Sequence, residues 1–402
     1  MAEVQWLRSH VSRPTIALVS RTPWLDKRFF GRLDIEVYPP LIAAPSLYQG
    51  FHTKIQRTFQ TTFNWLGQKR LIDKIRASDL IISSGGGYFF SHRRRFPGPM
   101  FFQNYLPLRI AAACKKPVVL FPQSIGPLLS SAAERLLKNV LNDRSVKKIF
   151  ARETASLAYL RTLLPKPQDA KLDFCPDMAL SLQKDESAAP PVLNLDLPRP
   201  VAALTVRSWD FPEVKSARDK KARQERYLEA LIEACLEFQR KWRGSLAVVP
   251  QVRGPGVFEN DEIPSKRVWA ELKKRLPQGH LAYVSLPPLV SPWALIDIFS
   301  QADLVLATRF HSALFGLLSG TPVISLGYQP KSHSTMAWLR LDEWSLSIST
   351  LRPEAILHLA ERIVRDGGGL RKAIRHQIAM AQTVIEERLG TLFESLRGSS
   401  TA

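Results

Sequence analysis

Cysteine is scarce in this chain of 402 residues. The three cysteines, Cys114, Cys175 and Cys235, are odd in number and far apart, which offers neither a disulfide framework nor the paired spacing of a zinc site. We expect all three to be buried, reduced side chains in a cytoplasmic protein. No other residue types show metal-ligand spacing, so the sequence predicts no metal site.

Long apolar runs are also missing. No stretch reaches the roughly 18 residues that cross a bilayer. The segment Met1 to His10 contains Glu3 and Gln5 and lacks the apolar core of a signal peptide. The sequence therefore predicts a cytoplasmic location, and a peripheral position at the inner face of the membrane stays open.

Acidic residues are in the minority. The chain has 36 Asp and Glu against 56 Lys and Arg, a net charge of +20. Basic residues concentrate in Arg93–Arg95 and in Lys215–Arg226. Such a field attracts phosphorylated small molecules, diphosphate lipids, anionic membranes or nucleic acid. Nucleic acid is not expected, because the basic clusters lack interleaved aromatics and a recognisable binding module.

Short apolar runs alternate with helix-period segments along most of the chain. This alternation predicts an α/β fold, in which helices cover both faces of parallel sheets. The predicted strands are Ile16–Ser20, Ile35–Tyr38, Leu80–Ser84, Val118–Gln123, Lys148–Ala151, Val201–Val206, Leu246–Gln251, Leu281–Ser285, Leu304–Thr308 and Val323–Leu326. The helix-like stretches between them include Gln56–Ala77, Arg223–Arg240, Pro292–Ser300 and Ser312–Leu318.

A proline-rich segment, Gln183–Pro200, separates two such blocks and is interpreted as a linker. The sequence then predicts an N-terminal Rossmann-like domain over residues 1–190 and a second one over residues 200–365. A helical tail over residues 366–402 would follow, broken at Gly367–Gly369. The two doubly wound domains are expected to face a cleft, with ligands beyond the carboxyl ends of the strands.

The strongest local signal is the turn after the predicted strand Leu304–Thr308, which places Arg309 and His311 at the start of a helix. An anion at that point gains the helix amides and the positive end of the dipole. Arginine adds a planar fork for carboxylate or phosphate, and histidine can move a proton near neutral pH. The alternative is that Arg309 pairs with an acid and His311 packs locally.

Further candidates occupy the ends of other predicted strands and the turns after them, and one, Asp177, lies at the end of the N-terminal domain. They are Gly85, Gly86, Gly87, Gln123, Ser124, Asp177, Arg207 and Arg253. The three glycines allow close approach of the backbone to a ligand. Structural alternatives stay open: a tight turn for the glycines, a turn or cap residue for Asp177, and a solvated loop arginine for Arg253.

Taken in order, several motifs resemble the polysaccharide pyruvyl transferases. The motifs are GGG, QSIGP, RETASL, PDMA and RFHSALFGLLSGTPVISLGYQPK. The resemblance covers Leu80 to Leu341 and implies two Rossmann-like domains of the glycosyltransferase-B type. Nucleotide-sugar glycosyltransferases with the same two-domain architecture are the alternative.

The resemblance also implies a reaction and its residues. Phosphoenolpyruvate would bind the C-terminal domain and donate its pyruvyl group to sugar hydroxyls, forming a pyruvate ketal without a cofactor. His311 and Arg309 match the family's Arg-x-His element and would be catalytic. Arg207 and Lys331 match its donor-binding cations, and Arg253 is a further donor-side candidate.

The N-terminal domain would hold much of the acceptor, with the three glycines, Gln123, Ser124 and Asp177 as acceptor-side residues. Many family members have a Gly-Asn-x-Gly-Asp-like turn after the first strand, where this chain has Val19–Trp24. The acceptor therefore does not follow from the resemblance beyond a sugar carried by a lipid or a nucleotide. Because such lipid carriers are anionic, contact with an anionic membrane is compatible with the reaction.

Overall fold

A computed structural model of the chain describes residues 1–42, 67–91, 97–164, 170–183, 194–252, 260–286, 291–328 and 330–398. The chain divides into two compact units. The N-terminal unit comprises Met1–Ser181 and Val384–Ala402, and the C-terminal unit comprises Leu182–Thr383. The domain boundaries at residues 190, 200 and 365 stay a prediction, and the structure groups the last residues of the chain with the N-terminal unit.

The N-terminal unit is built on parallel strands. They are β1 (Ile16–Val19), β2 (Ile35–Tyr38), β3 (Ile81–Ser83), β4 (Phe89–Ser91), β5 (Val118–Gln123), β6 (Ile125–Leu128), β7 (Val146–Ala151) and β8 (Leu172–Phe174). A four-stranded sheet has the order β3-β5-β7-β8, and β1-β2 and β4-β6 form separate pairs. Every residue of β5 is buried, as expected for an inner strand of a parallel sheet covered on both faces.

Helices connect these strands. They are α1 (Ala2–His10), α2 (Pro23–Phe30), α3 (67–77), α4 (Pro99–Ala113), α5 (Ser131–Leu141) and α6 (Thr154–Leu163). The side chain of Ser130 caps α5 by accepting the amide of Ala133 at 3.3 Å. The apolar residues of α5, such as Leu137 and Leu141, then face the core.

The C-terminal unit contains one six-stranded parallel sheet. Its strands are β9 (Val201–Leu204), β10 (Ser245–Val248), β11 (Leu281–Tyr283), β12 (Leu304–Ala307), β13 (Val323–Gly327) and β14 (Ser345–Ser347). The order is β11-β10-β9-β12-β13-β14, so the unit's first three strands run outward in one direction and its next three in the other. This is the doubly wound Rossmann order, with its switch point between β9 and β12.

The helices of the C-terminal unit are α7 (Ala217–Trp242), α8 (Glu262–Lys273), α9 (Pro292–Ser300), α10 (Phe310–Leu318), α11 (Pro330–Trp338) and α12 (Pro353–Gly398). The last helix departs from helical geometry at Asp366, with φ −140° and ψ 50°. The predicted break at Gly367–Gly369 lies directly after that residue. From Val384 onward α12 belongs to the N-terminal unit.

The first helix packs against that last part of α12. The Trp6 indole Nε1 donates to Glu386 Oε2 at 3.0 Å. His10 Nε2 lies 2.8 Å from the same carboxylate oxygen. The Trp6 ring also packs against Phe393, with 5.0 Å between the ring centroids. These contacts explain why both ends of the chain belong to one unit.

The α/β prediction is confirmed. All ten predicted strands are present, with ends shifted by at most three residues, whereas β4, β6, β8 and β14 were not predicted. Cys175 and Cys235 are buried, and Cys114 is partly exposed. No helix in the described residues has the length and apolar character needed to cross a membrane.

Candidate functional site

The predicted donor-side residues follow three neighbouring strands of the C-terminal sheet. Arg207 comes after β9, Arg309 directly follows the end of β12, and Lys331 lies at the start of α11 after β13. These strands are adjacent in the order β9-β12-β13. Since β9 and β12 flank the switch point, two of these cations lie where doubly wound sheets bind ligands.

Arg207 is a buried cation that lies over two neighbouring aromatic rings, Trp209 and Tyr328, whose centroids are 4.4 Å apart. Arg207 is 7% exposed. The guanidinium carbon lies 3.9 Å from the ring centroid of Tyr328 and 4.9 Å from that of Trp209. Its Nε donates to the carbonyl of Ser208 at 3.1 Å. Burial is the main cause that lowers the pKa of Arg207, and the nearby charge of Arg309 lowers it further.

This environment suits an anionic ligand. Among the described residues no carboxylate forms an ion pair with Arg207, and the aromatic faces offset only part of the cost of burying a charge. An anion bound at this position would supply the missing opposite charge.

Arg309 is paired with a buried acid. Its Nε lies 2.9 Å and 3.0 Å from the two carboxylate oxygens of Asp261, and its Nη2 lies 2.5 Å from Oδ1. Asp261 is 0% exposed and also accepts the amide of Val252 at 3.0 Å. The structure therefore contains the ion pair between Arg309 and an acid that the sequence left open as an alternative. A direct contact between Arg309 and a ligand stays a prediction.

His311 is exposed on the first turn of α10. Its ring centroid lies 5.3 Å from that of Phe310 and 6.2 Å from that of Phe315. The Lys331 ammonium lies 5.7 Å from the Phe310 ring centroid, so Lys331 and His311 share one aromatic neighbour. The structure thus brings His311, Arg309 and Lys331 to the start of one helix. Arg253 lies outside the described residues.

The acceptor-side candidates gather at the carboxyl edge of the N-terminal sheet. The Ser124 amide donates to the Gly86 carbonyl at 2.7 Å. Gln123 Nε2 donates to Ser83 Oγ at 3.2 Å, while the buried Gln123 Oε1 has no hydrogen-bond partner in the described structure. Gly87 continues the same turn before β4. A buried polar atom without a partner is unusual in a folded protein.

We call these acceptor-side residues the N-terminal cluster. Two charged residues, which the sequence did not single out, also belong to it. Arg152 follows β7 and donates from Nε to Ser124 Oγ at 2.9 Å and from Nη1 to Asp177 Oδ2 at 2.5 Å. Glu3 accepts the Gly85 amide at 2.6 Å. Burial is the main cause that raises the pKa of the Glu3 carboxyl, and the Gly85 amide opposes that shift. In the sequence, Arg152 appeared only as part of the motif RETASL. No sequence pattern indicated a role for Glu3 in this site.

The glycine turn is packed closely by side chains. A Cβ added to Gly86 would lie 2.1 Å from the Tyr88 ring, and one added to Gly85 would lie 2.9 Å from the Pro122 carbonyl oxygen. We therefore expect Gly86→Ala to lower the free energy of unfolding by about 1–3 kcal/mol, because Tyr88 must move.

Urea unfolding measures this loss. Gly390→Ala in α12 is the matched control, since nothing lies within 4 Å of its added Cβ, and it should gain about 0.5–1 kcal/mol. Equal stability of the Gly86→Ala variant and the wild type would contradict the packing described for this turn.

Within the described ranges, no group of three or more His, Cys, Asp or Glu side chains is arranged as metal ligands. The polar groups at both sheet edges are cations, amides and hydroxyls, together with the carboxylates of Asp261, Asp177 and Glu3, the first two of which are paired with arginines. That composition suits anionic and hydroxylated ligands.

Comparison with known families decides the classification. The family model described as "Polysaccharide pyruvyl transferase" matches residues 1–330. The chain belongs to this family. The family consists of transferases, and the match covers both the N-terminal cluster and the turn that carries Arg309 and His311.

One curated relative supports the same assignment. The amylovoran biosynthesis protein AmsJ of Erwinia amylovora is 23% identical over 295 residues, which are 72% of this chain and 66% of the relative. The chain thus spans just under two thirds of the relative's length.

Solved structures share the fold. A UDP-GlcNAc 2-epimerase from Neisseria meningitidis superposes with a TM-score of 0.55 at 14% identity, over 97% of this chain and 95% of that one. A UDP-forming trehalose-phosphate synthase from Burkholderia xenovorans gives 0.53 at 14% identity, over 84% and 80%. At this identity the similarity concerns the fold, and it confirms the glycosyltransferase-B-like prediction.

Proposed function

We propose that this pyruvyl transferase uses phosphoenolpyruvate as its donor and forms a pyruvate ketal on a sugar during exopolysaccharide synthesis. The observation that carries the proposal is the group of cations at the switch point of the C-terminal sheet. Phosphoenolpyruvate has a carboxylate and a phosphate, so a donor site needs several cations within a small volume. Arg207, Arg309 and Lys331 meet that need.

Each cation has a distinct environment. Arg207 is buried and lies over the rings of Trp209 and Tyr328. Asp261 fixes the Arg309 guanidinium by two-point pairing. Lys331 lies beside the helix start that Arg309 precedes. We assign the donor phosphate and carboxylate to these three side chains and to the first amides of α10.

The reaction balances without a redox step. His311 protonates the methylene carbon of the donor, which becomes the ketal methyl group. One sugar hydroxyl then attacks the cationic central carbon and loses its proton. Phosphate leaves with its bridging oxygen, and a second hydroxyl closes the ring and releases a second proton. The exposed position of His311 at the helix start suits this proton transfer.

The acceptor-side proposal places the sugar at the N-terminal cluster. Gln123 contributes a buried amide oxygen that lacks a partner in the described structure. A carbonyl oxygen of this kind accepts a hydrogen bond from a sugar hydroxyl. The relative from Erwinia amylovora is named for the biosynthesis of amylovoran, and the family for pyruvyl transfer in polysaccharides. We therefore propose a lipid-linked or nucleotide-linked sugar as the acceptor.

The experiment is an incubation of the full chain with phosphoenolpyruvate and a panel of lipid-linked and nucleotide-linked sugars. Release of inorganic phosphate and a product mass that corresponds to a ketal are the expected results. Tight binding of a nucleoside diphosphate, with no release of phosphate from phosphoenolpyruvate for any acceptor, would instead indicate a nucleotide-sugar glycosyltransferase.

The stacked arginine gives a sharper test of the donor site. Arg207→Lys keeps the charge and loses the planar contact with Trp209 and Tyr328. We expect KM for phosphoenolpyruvate to rise roughly 5- to 30-fold. This corresponds to a loss of about 1–2 kcal/mol of binding free energy from the aromatic contacts and the planar guanidinium.

Steady-state kinetics with the donor varied measures this effect. Arg223→Lys is the control, because Arg223 forms an exposed ion pair with Glu213 at 3.0 Å and lies outside the cluster. An unchanged donor KM in Arg207→Lys would remove Arg207 from the donor site.

A further inference from the structure

The helix α2 is weakly covered by the described parts of the protein. It contacts the two-stranded β1-β2 sheet, and none of its eight residues is buried. The Trp24 side chain on this helix is 69% exposed, and Val19 at the end of β1 is 42% exposed. A largely exposed indole on a folded unit is unusual enough to suggest a binding surface.

Charged residues surround this indole on one side of the helix. Lys27 and Arg28 follow Trp24 by three and four residues, so they lie on the same helical face, and both are exposed. Arg32, in the turn after α2, is exposed as well. We call Trp24, Lys27, Arg28 and Arg32 the α2 stripe.

The acid of α2 faces away from the stripe. Asp26 accepts hydrogen bonds from the hydroxyls of Ser20 and Thr22, the latter at 3.0 Å. Its carboxylate is thus used at the helix start and does not neutralise the exposed face. The stripe therefore combines one large amphipathic ring with three cations.

We propose that the α2 stripe binds the surface of an anionic lipid bilayer. An indole favours the interface between headgroups and acyl chains, and flanking Lys and Arg side chains attract anionic headgroups. The net charge of +20 adds long-range attraction to the same surface. This binding needs no substrate, so it is independent of the proposed reaction. Only its use in bringing the enzyme to a lipid-linked acceptor rests on that reaction.

The geometry favours lipid over nucleic acid. Single-stranded nucleic acid binds grooves in which successive aromatic side chains stack on successive bases. Here Phe29 and Phe30 pack edge to face on each other, with 5.0 Å between their centroids, and both are half-buried. Trp24 is thus the one aromatic residue of α2 that is largely exposed, which suits insertion of a single ring into an interface.

The test is co-sedimentation of the full chain with vesicles, without substrate. One set of vesicles is phosphatidylcholine and the other an equimolar mixture with phosphatidylglycerol. We expect binding to the mixed vesicles that weakens at high salt, and little binding to phosphatidylcholine. Lys27→Gln with Arg28→Gln should weaken binding on the order of fivefold per neutralised residue, and Trp24→Ala should weaken it severalfold.

Matched controls distinguish binding by the α2 stripe from attraction by the overall positive charge of the protein. Lys220→Gln with Lys221→Gln removes the same charge from the basic helix α7, and Ile263→Ala removes another exposed apolar side chain. Both should bind like the wild type. An equal loss in the Lys220 and Lys221 variant would overturn the proposal in favour of general attraction.

Two further results would also overturn it: unchanged vesicle binding in both stripe variants, or Trp24-dependent binding of single-stranded RNA without vesicle binding. Thermal melting confirms that each variant is folded. Activity on a nucleotide-linked sugar should be unaffected by the variant with Lys27→Gln and Arg28→Gln. A failure of lipid binding is therefore distinguishable from a failure of the proposed reaction.

Discussion

His311→Ala should lower turnover by roughly 10²–10⁴-fold, the range expected when a general acid is removed. The side chain is exposed at the start of α10 and close to the donor cations, so its loss should not disturb packing. The measurement is kcat from phosphate release at saturating phosphoenolpyruvate, together with the melting temperature.

His333→Ala is the control, because His333 is also exposed and lies on the neighbouring helix α11. It should keep wild-type turnover. A folded His311→Ala variant with near-normal turnover would remove His311 from the mechanism and leave the donor cations as the main catalytic feature.

Asp261→Asn should be among the most destabilising single changes in the C-terminal unit. The substitution removes the negative partner of Arg309 from a fully buried position. Breaking a buried pair in this way typically costs about 3–5 kcal/mol, because the remaining charge is left uncompensated. Urea unfolding of the two variants Asp261→Asn and Asp210→Asn measures the difference.

Asp210 is the matched control, since its ion pair with Lys220 is half exposed and worth about 0–1 kcal/mol. Similar small losses in both variants would show that the Arg309 pair contributes little to stability. Because Asp261 holds the Arg309 fork, Asp261→Asn should also raise KM for phosphoenolpyruvate if Arg309 contacts the donor.

Arg309→Lys separates a structural ion pair from a donor contact. Lysine keeps the charge and loses the two-point geometry with Asp261. If Arg309 also contacts the donor, KM for phosphoenolpyruvate should rise together with the loss of stability. If the pair is structural alone, stability falls and the donor KM of the folded enzyme stays at the wild-type value.

The regular parts of the fold were predictable because their patterns are local. The run Val118–Gln123 begins with four apolar residues and is followed by a Gly-containing turn, and the structure has it as β5 with the same ends. The missed strands lack such a pattern. β8 has three residues, and β6 contains a Gly-Pro pair, which ordinarily argues against a strand.

The positions of candidate residues were predictable where they lie just after predicted strands. They were not predictable where they depend on partners far away in the sequence. Arg207 and Arg309 could be placed because turns after parallel strands meet at one edge of a sheet, whereas Lys331 was named only through the resemblance to the family. The pair between Arg309 and Asp261 joins positions 48 residues apart. No local pattern predicts that contact.

Glu3 shows the same limit in the N-terminal unit. From the sequence it served only to show that the first ten residues are not a signal peptide. Its contact with the Gly85 amide spans 82 residues and depends on how α1 packs on the unit. Long-range partners of this kind require the tertiary structure.

The discontinuous N-terminal unit has a consequence for synthesis on the ribosome. The Trp6 side chain is 3% exposed, yet its hydrogen-bond partner Glu386 is made 380 residues later. The N-terminal unit therefore cannot complete this contact until the polypeptide of the C-terminal unit has been synthesised, although N-terminal domains usually fold first during translation. A nascent chain that stops before Val384 would expose the apolar surface around Trp6 and become a substrate for chaperones.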